Sequence, residues 1–122
     1  MIHGIGVDMC TISRVEKLQL KYQNRFTQRL LTEREQEGRT ITPAFLAKRF
    51  AAKEAVIKAV GTAFKDGLFL KDVEILSNEA GKPYVELSAA LTAKLPEGVT
   101  VHVSICDEEN TAIAYAVAEV RP

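Results

Sequence analysis

The chain is poor in cysteine and has no tryptophan: two Cys and no Trp among 122 residues. Two thiols, Cys10 and Cys106, cannot build a disulfide framework, and their spacing is not that of a zinc site. Each is expected as a small buried side chain. No apolar run approaches the ~20 residues of a membrane span. The first ten residues lack the basic start and long apolar core of a secretory signal. A reduced, cytosolic protein with no membrane association is expected. Neither GxGxxG nor GxxxxGKS/T occurs, so the common dinucleotide and P-loop phosphate cradles are set aside. No Ser-His-Asp order or metalloprotease motif stands out. His3 and His102 are isolated and are expected as satisfied or exposed histidines. Net charge is zero, and aromatics do not interleave with basic residues as a nucleic-acid platform requires.

What is present describes an ordinary globular chain, 47% apolar and 26% charged. Its length suits a single domain over 1–122. So short a chain still exposes much apolar surface, so an oligomer would be no surprise. Charge is unevenly placed. Residues 14–58 carry eleven Lys/Arg against five Asp/Glu, whereas 59–122 carry five against ten. The basic half could face an anionic partner or be a solvated helical surface.

Residues 2–9 alternate, with Ile5, Val7 and Met9 on one side and Gly4, Gly6 and Asp8 on the other. This predicts a strand with one apolar face. The glycines clear the face that carries Asp8, so backbone or ligand can approach it closely. A helix is predicted from about Ser13, with Thr11 or Ser13 as cap and Val15, Leu18 and Tyr22 as its apolar stripe. Arg14, Lys17, Lys21 and Arg25 follow a neighbouring stripe and should share one face. A short helix over 26–31 follows. Thr32 with Glu35 is a capping box for a third, which Gly38 ends. The strongest helix is 42–60: Thr42 caps it, Pro43 suits its first position, alanines fill it, and Gly61 terminates it. A loop over 61–67 comes next. Strands at 72–77 and 83–88 flank a turn containing Gly81. Ser88 caps a short helix ending near Leu95. Alternation then marks strands over 99–106 and 112–118, the last expected to be buried on both faces with a thin alanine side (Ala112, Ala114, Ala116, Ala118). This order predicts an α+β fold, a mainly antiparallel sheet packed with one long and several short helices.

Glu54 and Lys58 stand at i and i+4 and share a helical face. They could be a surface ion pair. They could instead join Asp8, since two carboxylates with substrate phosphates and water are a common way to hold Mg²⁺. Arg49 and Lys53 would extend the positive field that a polyphosphate needs.

Two blocks carry a resemblance. Gly4-Ile5-Gly6-Val7-Asp8-Met9 with Ile12-Ser13-Arg14-Val15 resembles the first signature of the holo-[acyl-carrier-protein] synthases, the small trimeric bacterial type of 4'-phosphopantetheinyl transferase. Arg49-Phe50-Ala51-Ala52-Lys53-Glu54-Ala55, continuing through Lys58-Ala59 to Gly61-Thr62, resembles the second, at the right spacing. Gly81-Lys82-Pro83-Tyr84 and His102-Val103-Ser104-Ile105 are similar to two weaker blocks. The resemblance implies transfer of the 4'-phosphopantetheine arm of coenzyme A to a serine of an apo-acyl carrier protein, in support of fatty acid biosynthesis. Adenosine 3',5'-bisphosphate would be released. It implies Mg²⁺ and a homotrimer with sites at subunit interfaces. By resemblance, Asp8 and Glu54 are the metal ligands, and Glu54 and Lys58 the catalytic residues. Arg49, Lys58, Gly61 and Pro83 line the coenzyme site. Arg14, Lys17, Lys21 and Arg25 dock the carrier. One position departs: family members usually carry histidine where this chain has Asp107, and an acid beside coenzyme phosphates repels them unless a metal or basic group intervenes. Asp107 is expected to sit in a solvated turn over 107–110. A non-catalytic coenzyme- or carrier-binding protein is the rival expectation, and a nucleic-acid module a third.

Overall fold

A computed structural model of the chain describes residues 1–61 and 70–121. The described residues form five strands and five helices, in the order β1 (Ile2–Thr11), α1 (Ile12–Tyr22), α2 (Asn24–Leu30), α3 (Glu33–Gln36), α4 (Pro43–Val60), β2 (Val73–Ser77), β3 (Pro83–Leu87), α5 (Ala89–Thr92), β4 (Val99–Glu108) and β5 (Thr111–Val120). A 3₁₀ turn, Leu70–Asp72, precedes β2. The α+β expectation holds, and every strand pair is antiparallel. The strands form a three-stranded sheet, β1-β5-β4, and a separate β2–β3 hairpin. Beyond Gly61, the expected loop and the Thr62 of the second signature lie outside the described residues.

Helix α4 is the core. Its N-cap Thr42 accepts a hydrogen bond from the Phe45 N–H at 3.1 Å, Pro43 occupies the first turn, and Gly61 ends it at φ 75. That left-handed backbone favours glycine. Ala47, Ala51, Ala52, Ala55 and Ala59 are buried along it. They meet an equally thin sheet. In register, Gly4 faces Ala118, Gly6 faces Ala116 and Asp8 faces Ala114. A Cβ on Gly4 would lie 2.0 Å from the Ala59 carbonyl oxygen, and one on Gly6 would lie 2.1 Å from that of Ala55. Small residues on both partners therefore let the helix lie directly on the sheet.

This corrects the expectation that β5 is buried on both faces. The alanine side of β5 is covered by α4 of the same chain, and β5 is buried on that side only. The larger side faces outward, with Tyr115 45% exposed, and Ile5, Val7 and Met9 of β1 lie exposed beside it. The glycine face of β1 is the inner one. Cys10 is buried as expected, but Cys106 is exposed opposite Ile113.

The N-terminus of α1 is tied from a distance. Thr11 makes no side-chain cap. Instead Asn110, in the β4–β5 turn, accepts from the Ser13 N–H through Oδ1 at 2.9 Å and donates through Nδ2 to Ser13 Oγ at 2.9 Å. Helix α1 stops at Gln23, whose φ is 52. Arg25 therefore belongs to α2, and the basic stripe expected on one continuous face is broken there.

Lys53 does not extend a surface field. It is fully buried and donates to Glu35 Oε1 at 2.7 Å, to the Leu30 carbonyl at 2.7 Å and to the Leu70 carbonyl at 3.1 Å. Glu35 completes the expected capping box with Thr32 and also accepts from the Ile75 N–H at 3.0 Å. One buried ion pair thus joins α2, α3, α4 and β2. Removing either partner would strand a buried charge, which costs about 3–5 kcal/mol.

Candidate active site

The close seat of α4 on β1 creates the site. Asp8 lies on the inner, glycine-cleared face of β1, and Glu54 and Lys58 descend from α4 beside it. Lys58 Nζ donates to Asp8 Oδ1 at 3.0 Å and to the Val7 carbonyl at 3.0 Å. The ion pair of Lys58 is therefore with Asp8, rather than with Glu54 as the helical spacing allowed. Glu54 is half-buried, and among the described residues it makes no ion pair. Burial pushes its carboxyl above the ordinary range. The Asp8 charge adds to that, and Lys58 opposes it.

Two neighbouring carboxylates, with the Asp8 charge adding to the raised proton affinity of Glu54, are a donor set that a hard divalent cation fits: oxygen ligands, partial exposure and repulsion for the ion to relieve. Among the described residues no third His, Cys, Asp or Glu joins them. Water and substrate oxygens would have to complete the shell.

Arg49 and Pro83 meet elsewhere on α4's flank, in a cavity of about 250 Å³. Arg39, Phe45, Lys48, Ser77, Ile105 and Asp107 help line it. Arg49 is 7% exposed, and its Nε is buried without a hydrogen-bond partner. Its guanidinium lies 4.7 Å from the Phe45 ring centre, and that of Arg39 lies 4.8 Å from it. Both donate to Ser77 Oγ, at 3.2 and 3.4 Å. Burial, then the Arg39 charge, make Arg49 less basic than an ordinary arginine. Two crowded cations on a neutral hydroxyl suit an anion.

Asp107 is exposed, as expected, but it does not lie in the turn itself. It belongs to β4, opposite Ala112 on the α4 side of the sheet, and pairs with Lys48 Nζ at 3.6 Å. The basic group that its position calls for is present. Sequence reasoning missed Arg39, Phe45, Lys48 and Ser77. They come from three separate stretches of chain, Phe45 and Lys48 from α4, Arg39 from the segment before it and Ser77 from β2, and only the two arginines flanking Phe45 hinted at them.

Gly61 stands at the C-cap of α4, one turn beyond Lys58, where the helix end by itself accounts for a glycine. Arg14, Lys17 and Lys21 of α1 and Arg25 of α2 are all exposed, and none is in an ion pair among the described residues. Leu20, 74% exposed, stands among them. His3 contacts the Val60 carbonyl and His102 contacts Glu119, so neither histidine joins the site.

An antiparallel sheet and helix that bring two carboxylates and a lysine together, with a cationic cavity nearby, suit a group-transfer enzyme acting on phosphate esters. The family model described as the 4'-phosphopantetheinyl transferase superfamily matches residues 4–116, and the chain belongs to that family. It is 44% identical to the holo-[acyl-carrier-protein] synthase of Magnetococcus marinus, over all of this chain and 96% of the relative. It superposes on the crystal structure of the Neisseria meningitidis holo-[acyl-carrier-protein] synthase with a TM-score of 0.86 at 40% identity, covering 98% and 99% of the two chains. The Bacillus anthracis holo-(acyl-carrier-protein) synthase, solved in complex with CoA (3',5'-ADP), matches with a TM-score of 0.81 at 35% identity, covering 99% of each.

Proposed function

We propose that Asp8, Glu54 and Lys58 are the working residues with which this chain transfers the 4'-phosphopantetheine arm of coenzyme A to a serine of apo-acyl carrier protein, releasing adenosine 3',5'-bisphosphate. The transferase activity rests on full-length likeness to holo-[acyl-carrier-protein] synthases. The residue assignment rests on one observation: Asp8, on a strand face cleared by glycines, meets Lys58 one helical turn from a proton-avid Glu54.

The reaction is attack by a serine hydroxyl on the β-phosphorus of the coenzyme diphosphate. The protein must position the reactants and offset charge on phosphate oxygens. Asp8 and Glu54 would hold Mg²⁺, which when bound neutralises diphosphate oxygens. Glu54 accepts the serine proton, its raised proton affinity bringing it closer to neutral pH than an ordinary carboxylate. Lys58 shifts from Asp8 to the developing phosphate charge. Arg49 and Pro83 hold the coenzyme, and the Gly61 end of α4 borders it. Arg14, Lys17, Lys21 and Arg25 face the acidic carrier, with Leu20 as an apolar contact. These substrates place the work in the cytoplasm. The apolar outer sheet face supports assembly into a homotrimer with sites at subunit interfaces. The rival, a non-catalytic binding protein, was motivated by Asp107 alone, and its pairing with Lys48 weakens that motive.

Incubation of the chain with apo-carrier protein, coenzyme A and Mg²⁺, followed by intact mass, tests the reading. One phosphopantetheine gained per carrier supports it. Coenzyme binding without mass gain supports the rival.

A further inference from the structure

Among the described residues, the wall of the cavity beside α4 holds three cations, Arg39, Lys48 and Arg49, and one acid, Asp107. The cations are not equivalent. Arg39 and Arg49 share the Phe45 ring and the Ser77 hydroxyl, and neither has a carboxylate in an ion pair among the described residues. Lys48 alone is paired, with Asp107 Oδ1 at 3.6 Å, the two side chains being 35% and 40% exposed. That separation exceeds a good hydrogen bond, and half-exposed pairs gain little over water. The pair is therefore easily exchanged. Asp107 reaches it from the α4 side of the sheet, in the row that contains Ala112 and Cys10.

Resting on the coenzyme A reading above, we infer that Lys48 and Asp107 form an exchangeable pair that sets this cavity's preference for a phosphate monoester. Coenzyme A carries one monoester, on its ribose; its other two phosphates form the diphosphate assigned to Asp8, Glu54 and Lys58. A monoester dianion is a stronger partner for an ammonium than a single carboxylate. On binding, Lys48 leaves Asp107 for the monoester, which Arg39 and Arg49 also face. Asp107 competes for Lys48 and repels the dianion, so it holds affinity down. A ligand without the monoester leaves the pair intact and is indifferent to both residues.

Isothermal titration of coenzyme A and dephospho-coenzyme A into the wild-type chain, Lys48→Met and Asp107→Asn, each with Mg²⁺, tests this. Lys48→Met should weaken coenzyme A about tenfold and dephospho-coenzyme A less than about twofold. Asp107→Asn should tighten coenzyme A about three- to fivefold and leave the dephospho form within about twofold. Equal changes for both ligands, or no change for coenzyme A in either variant, would overturn the inference while leaving the transferase reading in place. A wild-type chain that neither binds coenzyme A nor modifies the carrier would remove that reading, and the inference with it.

Discussion

At the scale of single residues, the proposed site rests on two half-buried carboxylates, with the Asp8 charge acting on Glu54. Asp8→Asn and Glu54→Gln should each lower kcat/KM at least ~100-fold, about 2.7 kcal/mol or more of transition-state stabilisation. Neither change empties the core. Glu54 has its folded pKa raised, so its ionisation opposes folding, and stability falls as pH rises through that pKa. Metal-free Glu54→Gln should therefore melt no lower than wild type at neutral pH. Steady-state kinetics with calorimetry separate lost chemistry from lost fold, and near-normal Mg²⁺-dependent rates in either variant would take that residue out of the site. The same shift sets a pH dependence. At limiting Mg²⁺, kcat/KM should fall on acidification through a pKa above the ordinary carboxylate range, because protonated Glu54 neither ligates nor accepts the serine proton. Added Mg²⁺ competes with that proton and should move the acid limb to lower pH. An acid limb that ignores Mg²⁺ would separate Glu54 from the metal.

At the scale of elements, the distance between α4 and β1 is set by missing side chains. A methyl on Gly6 would fall 2.1 Å from the Ala55 carbonyl oxygen and 2.8 Å from Lys58 Cβ. The first clash is with backbone, so the helix must lift from the strand. Gly6→Ala should cost about 1–3 kcal/mol by overpacking. It should also lower kcat well beyond what the unfolded fraction explains, because Asp8 and Lys58 separate. Denaturation together with single-turnover rates checks both parts, and a folded, fully active Gly6→Ala would show that the close seat is dispensable. The alternation in β1 and β5 was legible as sequence, and so were the caps at Thr32, Thr42 and Ser88. Which face of each strand is covered was not legible. A period of two says which residues share a side; the glycines of β1 signalled a close approach by backbone or ligand, but only the helix of alanines laid on Gly4, Gly6 and the β5 alanines shows that the opposite, larger side is left exposed. The candidate triad was legible because Asp8 and the Glu54–Lys58 spacing each carry a motif. The Arg39–Phe45–Ser77 cluster and the Lys48–Asp107 pair were not, since they depend on α4, the β2–β3 hairpin and β4 converging. Lys53 was misjudged for a related reason: a lysine in a basic run reads as solvated, and only the buried Glu35 shows otherwise.

At the scale of the whole molecule, two surfaces remain for partners, and they differ in chemistry. The α1–α2 surface is basic. Charge reversal at Arg14 and Lys21 together should raise KM for an acidic carrier and flatten the salt dependence of association, while KM for coenzyme A barely moves. Equal damage to both substrates would make α1 a support of the site rather than a dock. The other surface is apolar. Across the outer face of the three-stranded sheet, Val7 lies opposite Tyr115 and Met9 opposite Ile113, with Ser104 and Cys106 completing the rows on β4. Met9 is 65% exposed, and the inner face is already filled by α4. Contiguous exposed apolar side chains on a sheet face mark an interaction surface, and a second copy of the chain offers the same face. A closed ring of three copies is the assembly we expect there. Sedimentation equilibrium at micromolar concentration should return three times the chain mass. Glutamate at both Val7 and Tyr115, paired in register, would place like charges inside each contact and should yield monomers that have lost most transfer activity, as the proposed sites at subunit boundaries require. The inner face of those strands is untouched, so the monomers should keep the wild-type far-ultraviolet spectrum. A wild-type chain that sediments as a fully active monomer would defeat the assembly and would require the site to be complete within one copy.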